Sequence, residues 1–97
     1  KVLLADILYV TVSGRTSRIR LLQEQVNTNC TLNQLADQLP PSRFFRCHRS
    51  FIVNMKYIDH FDHSLIHLCS DRYTAYLTRR KYSELREKYL LYLESTR

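Results

Sequence analysis

Glycine occurs once in this chain, at Gly14, and its scarcity excludes a good deal of chemistry. A glycine-rich loop cradling a phosphate, or an oxyanion hole built on close backbone approach, has no material here. Cysteine is sparse and odd in number. Cys30, Cys47 and Cys69 share no C-x-x-C spacing, so no disulfide framework is expected and a reducing, cytoplasmic setting is. The longest uninterrupted apolar run is Tyr89 to Leu93, far short of the roughly 20 residues that cross a bilayer, and no membrane partner is expected. Acid is missing where base is concentrated. Fifteen Lys and Arg stand against nine Asp and Glu, a net +6. Ten of the fifteen fall in three acid-free stretches: Arg15, Arg18 and Arg20; Arg43, Arg46, Arg49 and Lys56; and Arg79, Arg80 and Lys81. One such run is commonly a solvated face, but three together point to a polyanion.

The chain is organised around Phe44-Phe45-Arg46-Cys47-His48-Arg49-Ser50-Phe51-Ile52-Val53-Asn54. Two hydrophobic anchors, Phe44-Phe45 and Phe51-Ile52-Val53, bracket a cationic turn, and a chain of 97 residues must bury both to fold as one domain. A turn so fixed presents Arg46, His48 and Arg49, for which phosphate is the natural partner. Asn54, an amide closing an apolar strand, reads as a structural tie. The chain begins on Lys1 and enters at once on Val2-Leu3-Leu4, and is expected to be a module of a longer regulator.

Short periodic segments follow one another. Ile7 to Val12 is β-branched and aromatic, with Leu8, Val10 and Val12 expected on one face. Residues 13–17 read as a loop before a strand at 18–22. Thr31 and Gln34 form a capping box for a short helix whose Leu32, Leu35, Ala36 and Leu39 make one apolar stripe, ended by Pro40-Pro41. Two consecutive hairpins are expected from residue 56 to 77, turning at 62–64 and 70–72. Tyr82, Leu85, Tyr89, Tyr92 and Leu93 share a stripe on a C-terminal amphipathic helix with Thr78 as N-cap. Its first turn would then hold Arg79, Arg80 and Lys81, cations the helix dipole disfavours by about 0.3–1 kcal/mol each, so an anionic partner is expected there. The fold class is mainly β, with no helix long enough for a parallel crossover between the strands.

The central run, with Ile7-Leu8-Tyr9-Val10 upstream and Leu77-Thr78-Arg79-Arg80-Lys81-Tyr82 downstream, resembles the LytTR DNA-binding domain over nearly the whole chain. The resemblance implies an elongated stack of three small antiparallel sheets, about ten strands in all, with one short helix. It implies sequence-specific binding of double-stranded promoter DNA, at imperfect direct repeats, by loops inserted into the grooves. The usual setting is the output domain of a bacterial two-component response regulator, behind an N-terminal receiver domain, with homodimerisation on DNA. By position, the base-contacting residues would be Ser17, Arg49 and Arg80. Arg15, Arg18, Arg46, His48, Ser50, Arg79 and Lys81 would meet the DNA backbone. Two positions depart from the family pattern: Ser17 stands where a larger donor can sit, and Thr11 replaces an acid common after the Ile-x-Tyr strand.

Rival chemistries draw on other residues and on some of the same ones. His60, His63 and His67 have metal-ligand spacing, but with a hairpin tip at His63 their rings are expected to diverge, and no metal or other cofactor is expected. Cys47-His48 and His48-Ser50 lack an orienting third group, so no enzyme activity is expected. Cys47, flanked by Arg46, His48 and Arg49, raises the question of a stabilised thiolate acting as a redox brake, against the plainer reading of a small core residue beside Phe45. A protein-interaction module is the alternative to DNA binding, on the strength of seven tyrosines and Leu91 lying off the helical stripe. RNA binding is weaker, because the aromatics are not gathered with the arginines.

Overall fold

The computed structural model describes residues 2–96, as eight strands and two α-helices. β1 (Ile7–Ser13), β2 (Thr16–Leu21), β3 (Gln25–Thr28), β4 (Phe44–His48) and β5 (Phe51–Asn54) form one antiparallel sheet in the order β3-β2-β1-β5-β4. β6 (Ile58–Phe61), β7 (Leu65–Leu68) and β8 (Tyr73–Tyr76) form a second, in sequence order. The α-helices are α1 (Leu32–Gln38) and α2 (Tyr82–Ser95). The mainly β, antiparallel class is as expected. The strands number eight in two sheets rather than about ten in three, because β5 pairs along β1 and merges the central hairpin with the N-terminal meander. Extents of 32 × 28 × 25 Å make the domain nearly isometric rather than elongated.

The larger sheet is covered on both faces. Phe44 and Ile52 enter a core with Ile7, Val10 and the α1 residues Leu32, Leu35 and Leu39. Their neighbours Phe45 and Val53 point the other way, into a core with Met55, Ile58, Ile66, Leu68, Ala75, Leu77 and Leu85. Strand alternation sends successive side chains to opposite faces, so the paired Phe-Phe and Ile-Val dipeptides tie the hairpin into two cores at once.

Local signals account for most of the elements. Gln34 N–H donates to Thr31 Oγ1 at 3.2 Å and Thr31 N–H to Gln34 Oε1 at 2.8 Å, the reciprocal capping box expected for α1. The segment 13–17 is mostly strand rather than loop. Ser13 pairs with Thr16 across a two-residue turn whose first residue, Gly14, has φ 62°. Primed hairpin turns demand that left-handed conformation, and the lone glycine supplies it. In β1 the expected alternation breaks at Leu8, where the register with β2 shifts. A bulge there puts Ile7 and Val10 in one core and Tyr9 against the other, while Val12 runs out to solvent.

Thr78 does not cap α2: it makes no side-chain capping bond, and Arg79–Lys81 forms a 3₁₀ turn before the helix proper begins at Tyr82. Leu85 is the buried anchor of α2, Tyr82, Tyr89 and Tyr92 pack around it, and Leu93 is exposed rather than on the buried stripe.

Two buried groups behave as structure, not chemistry. Asn54 is 1% exposed; its Nδ2 donates to the Ile7 carbonyl at 2.9 Å and its Oδ1 accepts from Lys56 N–H at 3.0 Å. It therefore latches β5 to the start of β1, 47 residues away. Of the two readings of Cys47, the small core residue beside Phe45 holds and the stabilised thiolate does not. The residue is fully buried, its thiol donates to the Phe51 carbonyl at 3.7 Å, and burial pushes the thiol up from 9.0 to about 12. Lys81 pulls the thiol the other way, but burial is the larger effect.

Three outcomes are expected. Asn54→Ala strands the Ile7 carbonyl and Lys56 N–H, and should lower the unfolding free energy by about 2–4 kcal/mol in urea titrations. At pH 8, iodoacetamide should modify the half-buried Cys30 and Cys69 in the native protein but Cys47 only with denaturant, as read by mass spectrometry. The folded thiol ionises above its unfolded value, so its contribution to stability is complete below about pH 9 and fades as pH rises toward 12. Cys47→Ala should flatten that alkaline limb.

Candidate nucleic-acid interface

The β4–β5 turn is held from both sides. Register pairs His48 with Phe51, leaving Arg49 and Ser50 as a two-residue tip, and a bulge sets Arg46 and Cys47 opposite Ile52. Ser50 N–H donates to His48 Nδ1 at 3.0 Å, which makes Nδ1 an acceptor and leaves Nε2 as the nitrogen that can donate outward. The imidazole packs against Phe51 and Tyr76 with centroids 6.2 and 5.8 Å away. Arg46 reaches beneath the tip, donating to the Arg49 carbonyl at 2.8 Å and to Asn33 Oδ1 on α1. With its backbone held in this way, the Arg49 side chain stands exposed at the apex.

The other two cationic stretches come to the same end of the molecule. Val12 N–H donates to the Ser50 carbonyl at 3.2 Å, so the β1–β2 turn with Arg15 lies beside the β4–β5 turn. On the other side, Thr78 N–H donates to the Cys47 carbonyl at 2.8 Å and brings Arg79–Lys81 against β4. Lys81 Nζ closes this junction by donating to the Arg46 carbonyl at 2.8 Å. The result is a cleft of about 430 Å³ lined by Arg46, His48, Arg49, Thr78, Arg80 and Lys81, none of them acidic. Arg49 and Arg80 are its two exposed walls.

The positions expected from sequence divide into three groups. Arg15, Arg49, Arg79 and Arg80 are exposed and face solvent at this end. Arg18, Arg46, His48, Ser50 and Lys81 are half-buried and already bonded within the protein: Arg18 donates to Asn27 Oδ1 at 3.4 Å and Ser13 Oγ at 3.3 Å, bracing the first hairpin. Lys81 thereby holds two elements together instead of projecting. Ser17 is the clear correction. It pairs with Val12 and Thr28 inside the sheet, is fully buried, and its Oγ has no partner. A side chain so enclosed reaches no base.

Three basic residues of the stretches lie elsewhere. Arg20 is spent on Tyr73, donating to its hydroxyl at 2.6 Å with the guanidinium 4.8 Å from the ring centroid, and so joins the two sheets. Arg43 and Lys56 line a pocket with Asn54 and Tyr92, at the far end of the β4–β5 hairpin. Sequence reasoning missed Tyr76, 59% exposed beside His48 and Phe51 at the cleft's edge. The signal was the β8 alternation, in which Ala75 is buried and Thr74 and Tyr76 are not.

The three histidines do not all diverge. His60 and His67 stack with centroids 4.3 Å apart, while His63 turns away to stack on Tyr82 at 3.9 Å.

The chain was compared with known families, curated proteins and solved structures. It is 45% identical over 56 residues to the transcriptional regulatory protein NatR of Bacillus subtilis strain 168, covering 58% of this chain and 24% of that protein. It is 36% identical over 53 residues to the transcriptional regulatory protein YpdB of Escherichia coli K12, covering 55% and 22%. The chain thus spans under a quarter of the length of these relatives. A solved LytTr DNA-binding domain, from a Bacillus cereus protein described as a methyl-accepting/DNA response regulator, superimposes with a TM-score of 0.77 at 23% identity. That likeness covers 90% of this chain and 84% of the other and establishes the fold. The LytTr DNA-binding domain family matches residues 1–90, and with that match the chain belongs to the LytTR family of DNA-binding domains.

Proposed function

We propose that the cationic end of the domain reads duplex DNA by sequence, with its turns entering the grooves and no recognition helix. Arg49 and Arg80 meet base edges, guanine by preference, since a guanidinium fork matches the O6 and N7 acceptors. Arg15, Arg18, Arg46, His48, Ser50 and Arg79 take phosphates, His48 through Nε2, while Lys81 keeps the two walls in register. At the first hairpin Arg15 does the reaching, because Ser17 is enclosed. The observation that carries this reading is the acid-free cleft with an exposed arginine on each wall, one delivered by β4–β5 and the other by the turn before α2. Backbone bonds on both sides of each tip mean that little conformational freedom is lost on binding.

In the wider reading the domain is the output module of a bacterial transcriptional regulator of the two-component type, with a receiver domain ahead of it in the parent chain and two copies on imperfect direct repeats. The names of its relatives support the transcriptional regulator, and their greater lengths leave room for a further domain. Protein interaction has one observation of its own: Leu90, Leu91 and Leu93 are exposed on α2, toward the end of the helix remote from the cleft.

Selection from a random duplex library, followed by binding titrations, tests the proposal. A direct repeat should be enriched. Arg49→Ala and Arg80→Ala should each lose about 1–3 kcal/mol of discrimination at one base position, whereas Arg79→Ala should weaken all sequences alike and reduce the salt slope by about one. With about five phosphates neutralised at roughly −0.9 per contact, affinity should fall about 500-fold between 50 and 200 mM salt. No enrichment over background at moderate salt would overturn sequence-specific recognition.

A further inference from the structure

The smaller sheet carries a constellation that DNA binding does not use. His60 on β6 and His67 on β7 are register partners on one face, and their rings lie parallel within 13°. The turn between β7 and β8 delivers Asp71 to them: its Oδ1 lies 3.1 Å from His60 Nε2 and 3.0 Å from His67 Nδ1. The three ligand atoms all lie within 4.8 Å of one another.

This turn takes an uncommon path. Cys69, Ser70 and Asp71 have φ of 54°, 55° and 67°, three successive non-glycine residues in the left-handed region. Bonds independent of the histidines hold it there: Cys69 N–H donates to the Tyr57 carbonyl at 3.1 Å, Arg72 N–H to the Cys69 carbonyl at 3.2 Å, and Ser70 N–H to the Asp59 carboxylate. The carboxylate is therefore positioned by the turn and not merely drawn over by the imidazoles.

We propose that His60, His67 and Asp71 bind a first-row divalent cation, zinc(II) best matching the two-imidazole, one-carboxylate donor set. Zinc–ligand bonds of about 2.0–2.2 Å in a tetrahedron place ligand atoms about 3.3 Å apart, close to the two nitrogen–oxygen separations here. Side chains of His60 and Asp71 that are 60% and 64% exposed leave room for water as the fourth ligand. The ion ties β6, β7 and the β7–β8 turn together. Its role is to brace the smaller sheet, since its ligands come from two neighbouring strands and the turn that follows them.

Metal-stripped protein should take up one zinc ion per chain in calorimetric titration and unfold at a higher temperature with zinc chloride than without. Magnesium chloride, whose ion prefers six oxygen ligands, should do neither. Asp71→Asn keeps a residue tolerant of left-handed backbone, and with His67→Gln it should weaken zinc binding by at least about tenfold. Circular dichroism without metal checks that both variants fold. His63→Gln and Cys69→Ser should bind as the parent does. Absence of zinc uptake by the parent, uptake unchanged in folded Asp71→Asn and His67→Gln, or uptake abolished by Cys69→Ser alone would each overturn the site.

Discussion

The β4–β5 hairpin is buried on both faces, and the rest of the structure depends on that constraint. Phe44 and Ile52 belong to the core under α1, Phe45 and Val53 to the core shared with the smaller sheet and α2. A hairpin clamped this way has one direction in which to project, along its own axis. Its turn therefore leaves the protein between two packed layers, with a position set by burial of roughly 1.5–3 kcal/mol for each large apolar side chain. The Asn54 latch fixes the opposite end of the same hairpin.

Charge is then gathered by backbone pairing rather than by side chains seeking one another. Like charges repel, and the one bond by which Arg46 holds Arg49 is to its main-chain carbonyl and not to its guanidinium. Val12 against Ser50 and Thr78 against Cys47 hold the first and third stretches at the flanks of the second. The bonds of Arg46 and Lys81 to main-chain carbonyls then offset part of the repulsion at the junctions. An anion entering the cleft meets guanidinium groups whose mutual repulsion was overcome when the chain folded.

Much of this was legible in the sequence, where the signal was local. The capping box at Thr31 and Gln34, the hairpin turns and the apolar anchors around the central turn are statements about residues a few positions apart, and the structure agrees with them. The three acid-free stretches were legible as a set, though sequence did not reveal that Arg20, Arg43 and Lys56 are used elsewhere. What stayed hidden depends on register between distant strands. The bulge at Leu8 shifts the phase of β1, and the pairing of β2 between β1 and β3 encloses Ser17. The meeting of His60 with His67 needs the β6–β7 alignment, and of both with Asp71 a left-handed turn that no glycine announces. At Cys47 adjacency in sequence suggested cationic neighbours, and the plainer reading, a small core residue beside Phe45, is the one the structure shows.

The brevity of the turns has a consequence for how such a domain changes over generations. Arg15 and Arg49 sit at the tips of two-residue turns and belong to neither core, so exchanging either one leaves the packing that sustains the fold untouched. Under the proposed reading, stability and sequence preference are thereby written in separate sets of residues. On that reading, a lineage of these domains is free to drift from one operator to another by a single substitution at Arg49, without first becoming a weaker protein.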